Sequence, residues 1–264
     1  MHPILIDFHW HDLFLPTYGV LFATGALVAW MWFVKRARSM GLPADPVFNL
    51  AFYTLLVGLL GAKLGLVIVD LPYFLENPRN LLGIIRSAGV LMAGITAGAV
   101  AFVLYARKHR LPLRDLGDAI AAPLVLAQGI GRLGCFAAGC CWGVETSSWC
   151  AVRFTEQAAR EQTGVPLDIP LVPVQLFEAV FDLALALVLT LLWRRRPRPA
   201  GTVFWIYLIT YGLGRGVLEH FRGDAVRGVW LNGAVSTSQL FSAAAVIVGA
   251  AFLVIDRRRV PERA

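Results

Sequence analysis

Repeated apolar runs, most of them long enough to cross a lipid bilayer, constrain this chain more than any other feature. A transmembrane helix needs about 20 predominantly apolar residues. Seven runs stand out along the 264 residues, and the fourth is the shortest: 13–34, 48–69, 87–106, 119–131, 171–193, 201–217 and 228–255. In the last run the helix is expected to start near Thr237. We therefore predict an all-α integral membrane protein, with seven transmembrane helices in one domain covering residues 1–264.

The amino-acid composition excludes an ordinary soluble protein. Hydrophobic residues make up 58% of the chain and charged residues only 16%, whereas soluble domains carry about 25% charged residues. The net charge of +7 is compatible with binding to nucleic acid or to anionic lipid. Because the basic residues lie in short clusters between the apolar runs, they indicate membrane topology, and we expect no nucleic-acid partner.

The positions of the basic clusters predict the orientation. Dense clusters follow the first, third, fifth and seventh runs, at 35–38, 107–114, 194–198 and 257–259. Short cytoplasmic loops are enriched in Lys and Arg, so the N-terminus is expected outside and the C-terminus in the cytoplasm. Residues 1–12 lack the basic segment of a signal peptide, so the first helix is expected to be retained. A polar stretch at about 143–170 is predicted to form a periplasmic loop or arm.

Six ionisable residues fall inside the apolar runs or at their ends. A charge at the centre of a transmembrane helix costs about 2.5 to 3.5 kcal/mol on insertion scales, so such residues are functional candidates by default. They are Lys63, Arg132, Glu178, Asp182, Arg215 and Glu219.

Arg132 lies in a window, residues 128–143, that contains five glycines. Such a window predicts a backbone that bends or lets a ligand approach closely. Arginine binds phosphate oxygens through two parallel hydrogen bonds, so the pattern is typical of a phosphate site. The alternative is an arginine that reaches to the membrane interface without binding a ligand.

Two further groups of polar residues have helical spacing. Tyr211, Arg215 and Glu219 are four residues apart and share one helix face. Gln175 and Glu178 are three apart and share another. These residues are expected to line a polar site inside the bundle, or alternatively to form structural ion pairs.

Three of the four cysteines lie within seven residues: Cys135, Cys140 and Cys141, with Cys150 further along. A thiolate favoured by Arg132 is a candidate nucleophile. A disulfide on an oxidising outer face, or simply a buried thiol, is the alternative. The spacing lacks a Cys-x-x-Cys pair and a nearby histidine, so no metal site is predicted.

Several spaced motifs resemble the prolipoprotein diacylglyceryl transferase family along most of the chain. They are Tyr18-Gly19, Gly61-Ala-Lys-Leu-Gly65, Gly131-Arg-Leu-Gly134 with Gly139 and Trp142-Gly143, Pro173-x-Gln-Leu-Phe-Glu178, and Tyr211-Gly-x-x-Arg215 with Glu219-His-Phe-Arg222. The resemblance implies a multi-pass enzyme of the bacterial plasma membrane that moves diacylglyceryl from phosphatidylglycerol onto a lipoprotein cysteine. Its partners would be phosphatidylglycerol, membrane lipid and the signal helix of a prolipoprotein. No cofactor is implied.

The resemblance and the residue patterns together assign roles to individual residues. The residues expected to act in catalysis are Arg132, Arg215, Tyr211, Cys135 and Glu178. The residues expected to bind substrate are Arg132, Tyr18, Gln175, Gly143, Glu219, Arg222 and Met92.

Departures from the family pattern concentrate at the expected site. Met92 stands where the family has a histidine, and a thioether cannot take or give a proton. Cys135, Ala138 and Cys140 replace two asparagines and a glutamate. The acceptor or the base is therefore expected to differ. The alternative function is a non-enzymatic phospholipid-binding or transport protein that kept the headgroup pocket.

Overall fold

The computed structural model describes residues 2–7, 14–77, 84, 89–195, 199–224, 228–230 and 235–258, and within them the protein is all-helical. The helices are α1 (Thr17–Ser39), α2 (Ala44–Val69), α3 (Leu71–Glu76), α4 (Leu91–Lys108), α5 (Leu113–Ala138), α6 (Gln157–Thr163), α7 (Val174–Arg194), α8 (Thr202–Leu218) and α9 (Thr237–Arg258). A 3-10 turn, Glu219–Phe221, follows α8 directly. Two short antiparallel pairs complete the secondary structure, β1 (Ile4–Asp7) with β2 (Phe14–Pro16) and β3 (Val229–Trp230) with β4 (Val235–Ser236).

Six of the helices in this part of the chain are long and apolar enough to span a membrane: α1, α2, α4, α5, α7 and α9. The protein is thus a multi-pass membrane protein, as the apolar runs predict. The sixth predicted run forms α8, which has 17 residues. The last helix starts at Thr237, where it is expected.

The fourth predicted run is wrong in its extent. Instead of ending at Arg132, α5 begins at Leu113 and continues through Arg132 to Ala138, and the glycines around Arg132 do not form a bend. Their surroundings differ. A Cβ on Gly134 would lie 3.2 Å from the Tyr18 ring, so this glycine allows close packing, whereas a Cβ on Gly131 would meet nothing within 4 Å. The chain turns only after α5, at Gly139, whose φ is +78°.

The chain forms two compact units, Trp30–Leu116 and the remainder, Met1–Ala29 with Gly117–Ala264. In the first of these, α2 packs against α4 through small residues. A Cβ on Gly94 would lie 2.9 Å from the Gly58 carbonyl oxygen, and one on Gly98 would lie 3.3 Å from that of Thr54. Such close approach of two helices through glycines is typical of helix packing in membranes.

The other unit carries most of the predicted site, and α8 is fixed there at its N-terminal end. The buried Asp118 of α5 accepts hydrogen bonds from the backbone N–H groups of Gly201 (3.1 Å) and Phe204 (3.0 Å). The first N–H groups of a helix lack partners within the helix, so Asp118 supplies them. Trp205 of α8 donates to Asp256 of α9 at 2.9 Å.

The stretch predicted as an arm has a small apolar core of its own. Phe154, Ala159, Val165 and Leu171 are buried together, and Phe136 at the end of α5 packs against them. Short bridges tie the stretch to the start of α7, because Val152 and Leu171 exchange backbone hydrogen bonds of 2.9 Å. The turn after α5 is thus held against a folded segment.

Parts of the predicted pattern lie outside the described residues. They are the start of the first run at 13, the start of the third at 87–88, positions 231–234 of the seventh, and the basic residues at 196–198 and 259.

Candidate functional site

One buried carboxylate holds two arginines from two other helices. Glu178 of α7 forms ion pairs with both arginines. Nε of Arg132, in α5, lies 2.9 Å from Oε2, and a terminal nitrogen of Arg215, in α8, contacts Oε1. The side chain of Glu178 is only 4% exposed and that of Arg215 9%, whereas Arg132 keeps 17%. A buried charge needs partners with good geometry. Here Oε1 of Glu178 accepts a hydrogen bond from Arg215, whereas Oε2 lies within ion-pair distance of Arg132 but has no hydrogen-bond partner among the described residues.

Arg215 has two more partners. Its second terminal nitrogen lies 2.6 Å from Oε2 of Glu219, four residues on, and 3.2 Å from the hydroxyl of Ser238 in α9. The i,i+4 pairing expected from the sequence is therefore present. Arg215 links α7, α8 and α9 at one point.

Arg222 extends the same network beyond the end of α8. It donates to Asp224 through two bonds, from Nε at 2.8 Å and from a terminal nitrogen at 2.5 Å, and its other terminal nitrogen lies 3.9 Å from Glu219. Burial is the largest influence on Arg222 and opposes its charge, but the hydrogen bonds to Asp224 and the nearby anionic groups together outweigh burial and raise the pKa of this arginine above its usual value. A fork of this kind is rigid and directional.

A small polar cavity lies among these groups. Its volume is about 10 Å³, which is room for about one water molecule. Its lining residues come from α5, α7 and α8: Arg132, Glu178, Phe181, Asp182, Tyr211, Arg215 and Leu218. Because the arginines are engaged with Glu178, the cavity is closed around its own ion pairs.

An apolar groove of about 380 Å³ adjoins the polar cavity. Phe181 and Leu218 belong to both, so these two side chains separate the groove from the arginines. The rest of the groove is formed by residues of α7 and α8: Phe177, Thr210, Leu213, Gly214 and Val217. Leu213 and Val217 are more than half exposed, so the groove opens to the outside of the helix pair.

Tyr211 stands at the cavity as part of an aromatic pair. Its ring stacks on that of Tyr207, one turn earlier, with centroids 5.5 Å apart. The Tyr207 hydroxyl donates to Oε1 of Gln128 in α5 at 3.3 Å. The tyrosine predicted to line the site is therefore anchored from α5.

Gln175 and the cysteines lie at the turn that follows α5. The amide of Gln175, which is fully buried, donates from Nε2 to the carbonyl oxygen of Cys140 at 2.8 Å. Its Oε1 has no hydrogen-bond partner in the part of the chain that the structure describes. The sulfur atoms of Cys135, Cys140 and Cys141 lie within 4.8 Å of one another, and all four cysteines are free thiols. Tyr18 of α1 lies within electrostatic reach of these three thiols and of Arg132.

Gly143 occupies a crossing of three backbone segments. It bridges to Arg222, and a Cβ at this position would run into the Val172 carbonyl and lie 2.7 Å from the Val174 side chain and 2.8 Å from the Phe221 carbonyl. Only glycine fits there. The residue therefore sets the position of the Arg222 segment relative to the start of α7.

Met92 and Lys63 belong to the unit formed by Trp30–Leu116. Met92 lies in the first turn of α4, where its carbonyl accepts a hydrogen bond from Thr96 at 2.9 Å. Lys63 donates to the carbonyl of Ile84 at 2.8 Å. The other predicted site residues lie in the second unit, where Arg132, Glu178, Tyr211 and Arg215 line one cavity.

Three residues at the site have no role in the predicted site. Asp182, already one of the ionisable candidates, lines the cavity, four residues from Glu178 on α7. Asp224 has a weak signal in the sequence, two residues beyond Arg222. Ser238 has none, since only the packing of α9 against α8 brings its hydroxyl to Arg215.

Comparisons with known proteins give the family to which this sequence is similar. Residues 3–255 match the family model described as prolipoprotein diacylglyceryl transferase. The chain is 36% identical over 259 residues to the phosphatidylglycerol–prolipoprotein diacylglyceryl transferase of Clostridium tetani, covering 98% of this chain and 99% of that protein. It is 32% identical to transferase 2 of Clostridium perfringens over 88% of each chain. Its identity to the enzyme of Serratia proteamaculans is 28%, over 98% of this chain and 92% of the other.

Proposed function

The chain belongs to the prolipoprotein diacylglyceryl transferase family, and on that premise we propose that it transfers diacylglyceryl from phosphatidylglycerol to the cysteine thiol of a prolipoprotein. The observation that carries the proposal is the pair of arginines, Arg132 and Arg215, that share Glu178 beside an apolar groove. Such an arrangement offers charge for a phosphate and an apolar surface for acyl chains within one site.

We further propose that the whole chain forms one seven-helix domain in the bacterial plasma membrane. The seventh span is α8, whose 17 residues reach about 25 Å at 1.5 Å each. The N-terminus would lie outside and the C-terminus in the cytoplasm, because the basic ends of α1, α4, α7 and α9 then share one side. The stretch 143–170 would be periplasmic, next to the turn that carries the cysteines.

The phosphate of phosphatidylglycerol would bind by replacing the Glu178 carboxylate as a partner of the arginines. Arg132 and Arg215 already contact the two oxygens of a carboxylate, and the phosphodiester of phosphatidylglycerol presents the same number of anionic oxygens, with one negative charge, to the same guanidiniums. Because the polar cavity has room for about one water molecule, a headgroup enters only if Glu178 gives up at least one arginine. Gln175 Oε1, buried and without a partner among the described residues, would accept a hydrogen bond from a headgroup hydroxyl.

The acyl chains would occupy the groove between α7 and α8. The groove is apolar, and its outer residues are exposed at the surface of the helix pair, which is where lipid meets a membrane protein. Phe181 and Leu218 separate it from the arginines. A lipid in the groove would therefore reach the arginines only past these two side chains.

The reaction breaks the bond between the diacylglyceryl carbon and the phosphate oxygen, and it forms a carbon–sulfur bond to the acceptor cysteine. Glycerol phosphate leaves with the bonding electrons, and Arg132 and Arg215 stabilise its charge. The thiol proton must go to a base. Met92 cannot accept it. Glu178, released from its arginines by the phosphate, is the carboxylate of the cavity that would take the proton.

Other members of the predicted set would position the substrates. Tyr211, fixed by its stacking on Tyr207, would face the phosphate. Tyr18 and Cys135 would lie beside the acceptor thiol. Glu219 and Arg222 would hold Arg215 in place through the ion pairs that they form.

The test is complementation of a bacterial strain depleted of its own transferase, with mass spectrometry of a client lipoprotein. Wild type is expected to restore growth and to add a diacylglyceryl thioether. Arg132→Ala is expected to insert normally and to add none. Arg160→Ala, an exposed arginine on α6, is the matched control and should behave as wild type. Binding of phosphatidylglycerol without any thioether in the wild type would indicate the lipid-binding alternative, and full activity of Arg132→Ala would defeat the proposed phosphate site.

A further inference from the structure

Three thiols converge at the turn after α5. The sulfur atoms of Cys135, Cys140 and Cys141 lie within 4.8 Å of one another. Cys135 is in the last turn of α5, and the chain then folds back because Cys140 donates its backbone N–H to the Cys135 carbonyl at 3.1 Å. The fold thus joins cysteines whose spacing along the chain does not match a metal motif.

The turn is held from both sides by residues of other segments. Gln175 of α7 donates to the carbonyl of Cys140 at 2.8 Å, and Thr163 of α6 donates to the carbonyl of Gly139 at 3.1 Å. A site whose ligands are already positioned loses less conformational entropy when an ion binds. The three thiols are part-buried rather than sealed, so an ion can reach them.

The sulfur separations match those around a single metal ion. With metal–sulfur bonds of about 2.3 Å, three sulfurs arranged in a triangle around an ion stand about 4 Å apart. The observed separations, at most 4.8 Å, are close to that geometry. Thiolate sulfur is a soft ligand that selects Cu(I), Zn²⁺ or iron–sulfur clusters.

The number of ligands distinguishes among these ions. Structural zinc sites use four protein ligands, and zinc sites with three protein ligands add a water as the fourth; within the residues that the structure describes, the group contains three cysteines and no histidine or carboxylate. Iron–sulfur clusters likewise use four ligands. A three-sulfur set without a fourth donor suits Cu(I).

The surrounding charges favour the same ion. Three thiolates and one Cu⁺ carry a net charge of −2, and both Arg132 and Arg222 interact electrostatically with Cys141. Both guanidiniums are already paired, Arg132 with Glu178 and Arg222 with Asp224, so they offset only part of the charge of the anionic complex. Binding converts three thiols into thiolates and releases three protons, with no change in the oxidation state of the metal or the sulfur.

We propose that Cys135, Cys140 and Cys141 form a binding site for one cuprous ion. The three sulfurs are its ligands, Gln175 and Thr163 fix the turn that presents them, and Arg132 and Arg222 offset part of its charge. An ion at this position would interact with Arg132, which is also part of the proposed phosphate site. Copper is therefore expected to lower lipid transfer, a consequence that rests on the proposed function whereas the binding itself does not.

The test is an anaerobic titration of the purified, detergent-solubilised protein with Cu(I), in competition with the chromogenic chelator bicinchoninate. Wild type is expected to take one Cu(I) per chain. Each of Cys135→Ser, Cys140→Ser and Cys141→Ser is expected to weaken binding by at least tenfold, because a hydroxyl is a poor ligand for a soft ion. Cys150→Ser is the matched control and should bind as wild type, since Cys150 lies outside the cluster and contacts Ser148.

X-ray absorption at the copper edge gives a second readout, in which three sulfur neighbours are expected. The proposal is overturned if wild type holds no more copper than the single variants, if Cys150→Ser loses the ion, or if the spectrum shows nitrogen or oxygen ligands in place of sulfur. Size-exclusion profiles of each variant verify that it is folded. A protein that binds copper but transfers no lipid when copper-free contradicts the proposed function and leaves the copper site standing.

Discussion

Arg132 Nε lies 2.9 Å from Glu178 Oε2, and this contact joins α5 to α7 beside a cavity with room for about one water molecule. The other oxygen of Glu178 is bound by Arg215. The carboxylate is thus an internal substitute for the phosphate that the arginines are proposed to bind. The same guanidiniums cannot bind the phosphate and Glu178 fully at the same time. Binding of the substrate would therefore also release Glu178, the proposed base.

Glu178→Gln is expected to separate binding from chemistry. The amide carries no charge, so Arg132 and Arg215 are freed for phosphate and KM for phosphatidylglycerol should fall. The proposed base is lost, so kcat should fall by about 10² or more. The measurement is steady-state transfer to a fluorescent signal peptide in phosphatidylglycerol vesicles. Glu161→Gln, on an exposed face of α6, is the control. A wild-type kcat in Glu178→Gln would assign the proton to another group.

Gly214→Ala is expected to disturb the boundary between groove and cavity. A Cβ at this position would overlap the ring of Phe181, so the ring must move. Lipid transfer should then drop several-fold, with near-normal membrane insertion. Gly216→Ala, two residues on in the same helix, meets nothing closer than 4.0 Å and should keep wild-type activity. Equal rates for both variants would show that Phe181 does not control entry to the cavity.

Gly143→Ala and Gly131→Ala are expected to change stability in opposite directions. The first forces a methyl group against the Val172 carbonyl and the Phe221 carbonyl, and overpacking of this kind costs about 1 to 3 kcal/mol. The second adds a methyl group to α5 with nothing within 4 Å, and Ala is favoured over Gly in a helix by about 1 kcal/mol. Thermal unfolding in detergent should therefore move down for Gly143→Ala and up for Gly131→Ala. A shift in the same direction for both contradicts the steric argument.

Asp118→Asn is expected to loosen the start of α8. Asp118 accepts from the backbone of both Gly201 and Phe204, and asparagine keeps one acceptor oxygen while removing the charge that favours a helix N-terminus. The expected loss is about 1 to 3 kcal/mol in the free energy of unfolding. Asp115→Asn, in the first turn of α5, gives a control of the same chemistry. Hydrogen exchange of the α8 amides measures the effect, and unchanged exchange would contradict it.

The local parts of the site follow from spacing along the chain. Arg215 and Glu219 are four residues apart on one helix, so their pairing needs no information beyond helical geometry. The same holds for the apolar runs, whose length reflects the bilayer rather than any neighbour. Of the two alternatives for the glycines around Arg132, the bend is wrong. Glycine permits a bend but does not require one, and α5 stays helical through this region, where Gly134 packs against Tyr18.

The sequence by itself determines that this is a multi-pass helical membrane protein, and it shows where ionisable residues interrupt the apolar segments. This is possible because membrane insertion depends on the hydrophobicity of each segment separately. Which charge meets which was decided only by the tertiary structure. Glu178 joins two arginines 46 residues before it and 37 residues after it along the chain, and Ser238 reaches Arg215 from a third helix. Contacts of this kind depend on how helices pack in three dimensions, and no local spacing encodes them. The three cysteines are the same case on a smaller scale, since a turn held by Gln175 and Thr163 gathers their sulfurs where the spacing alone predicts no metal site.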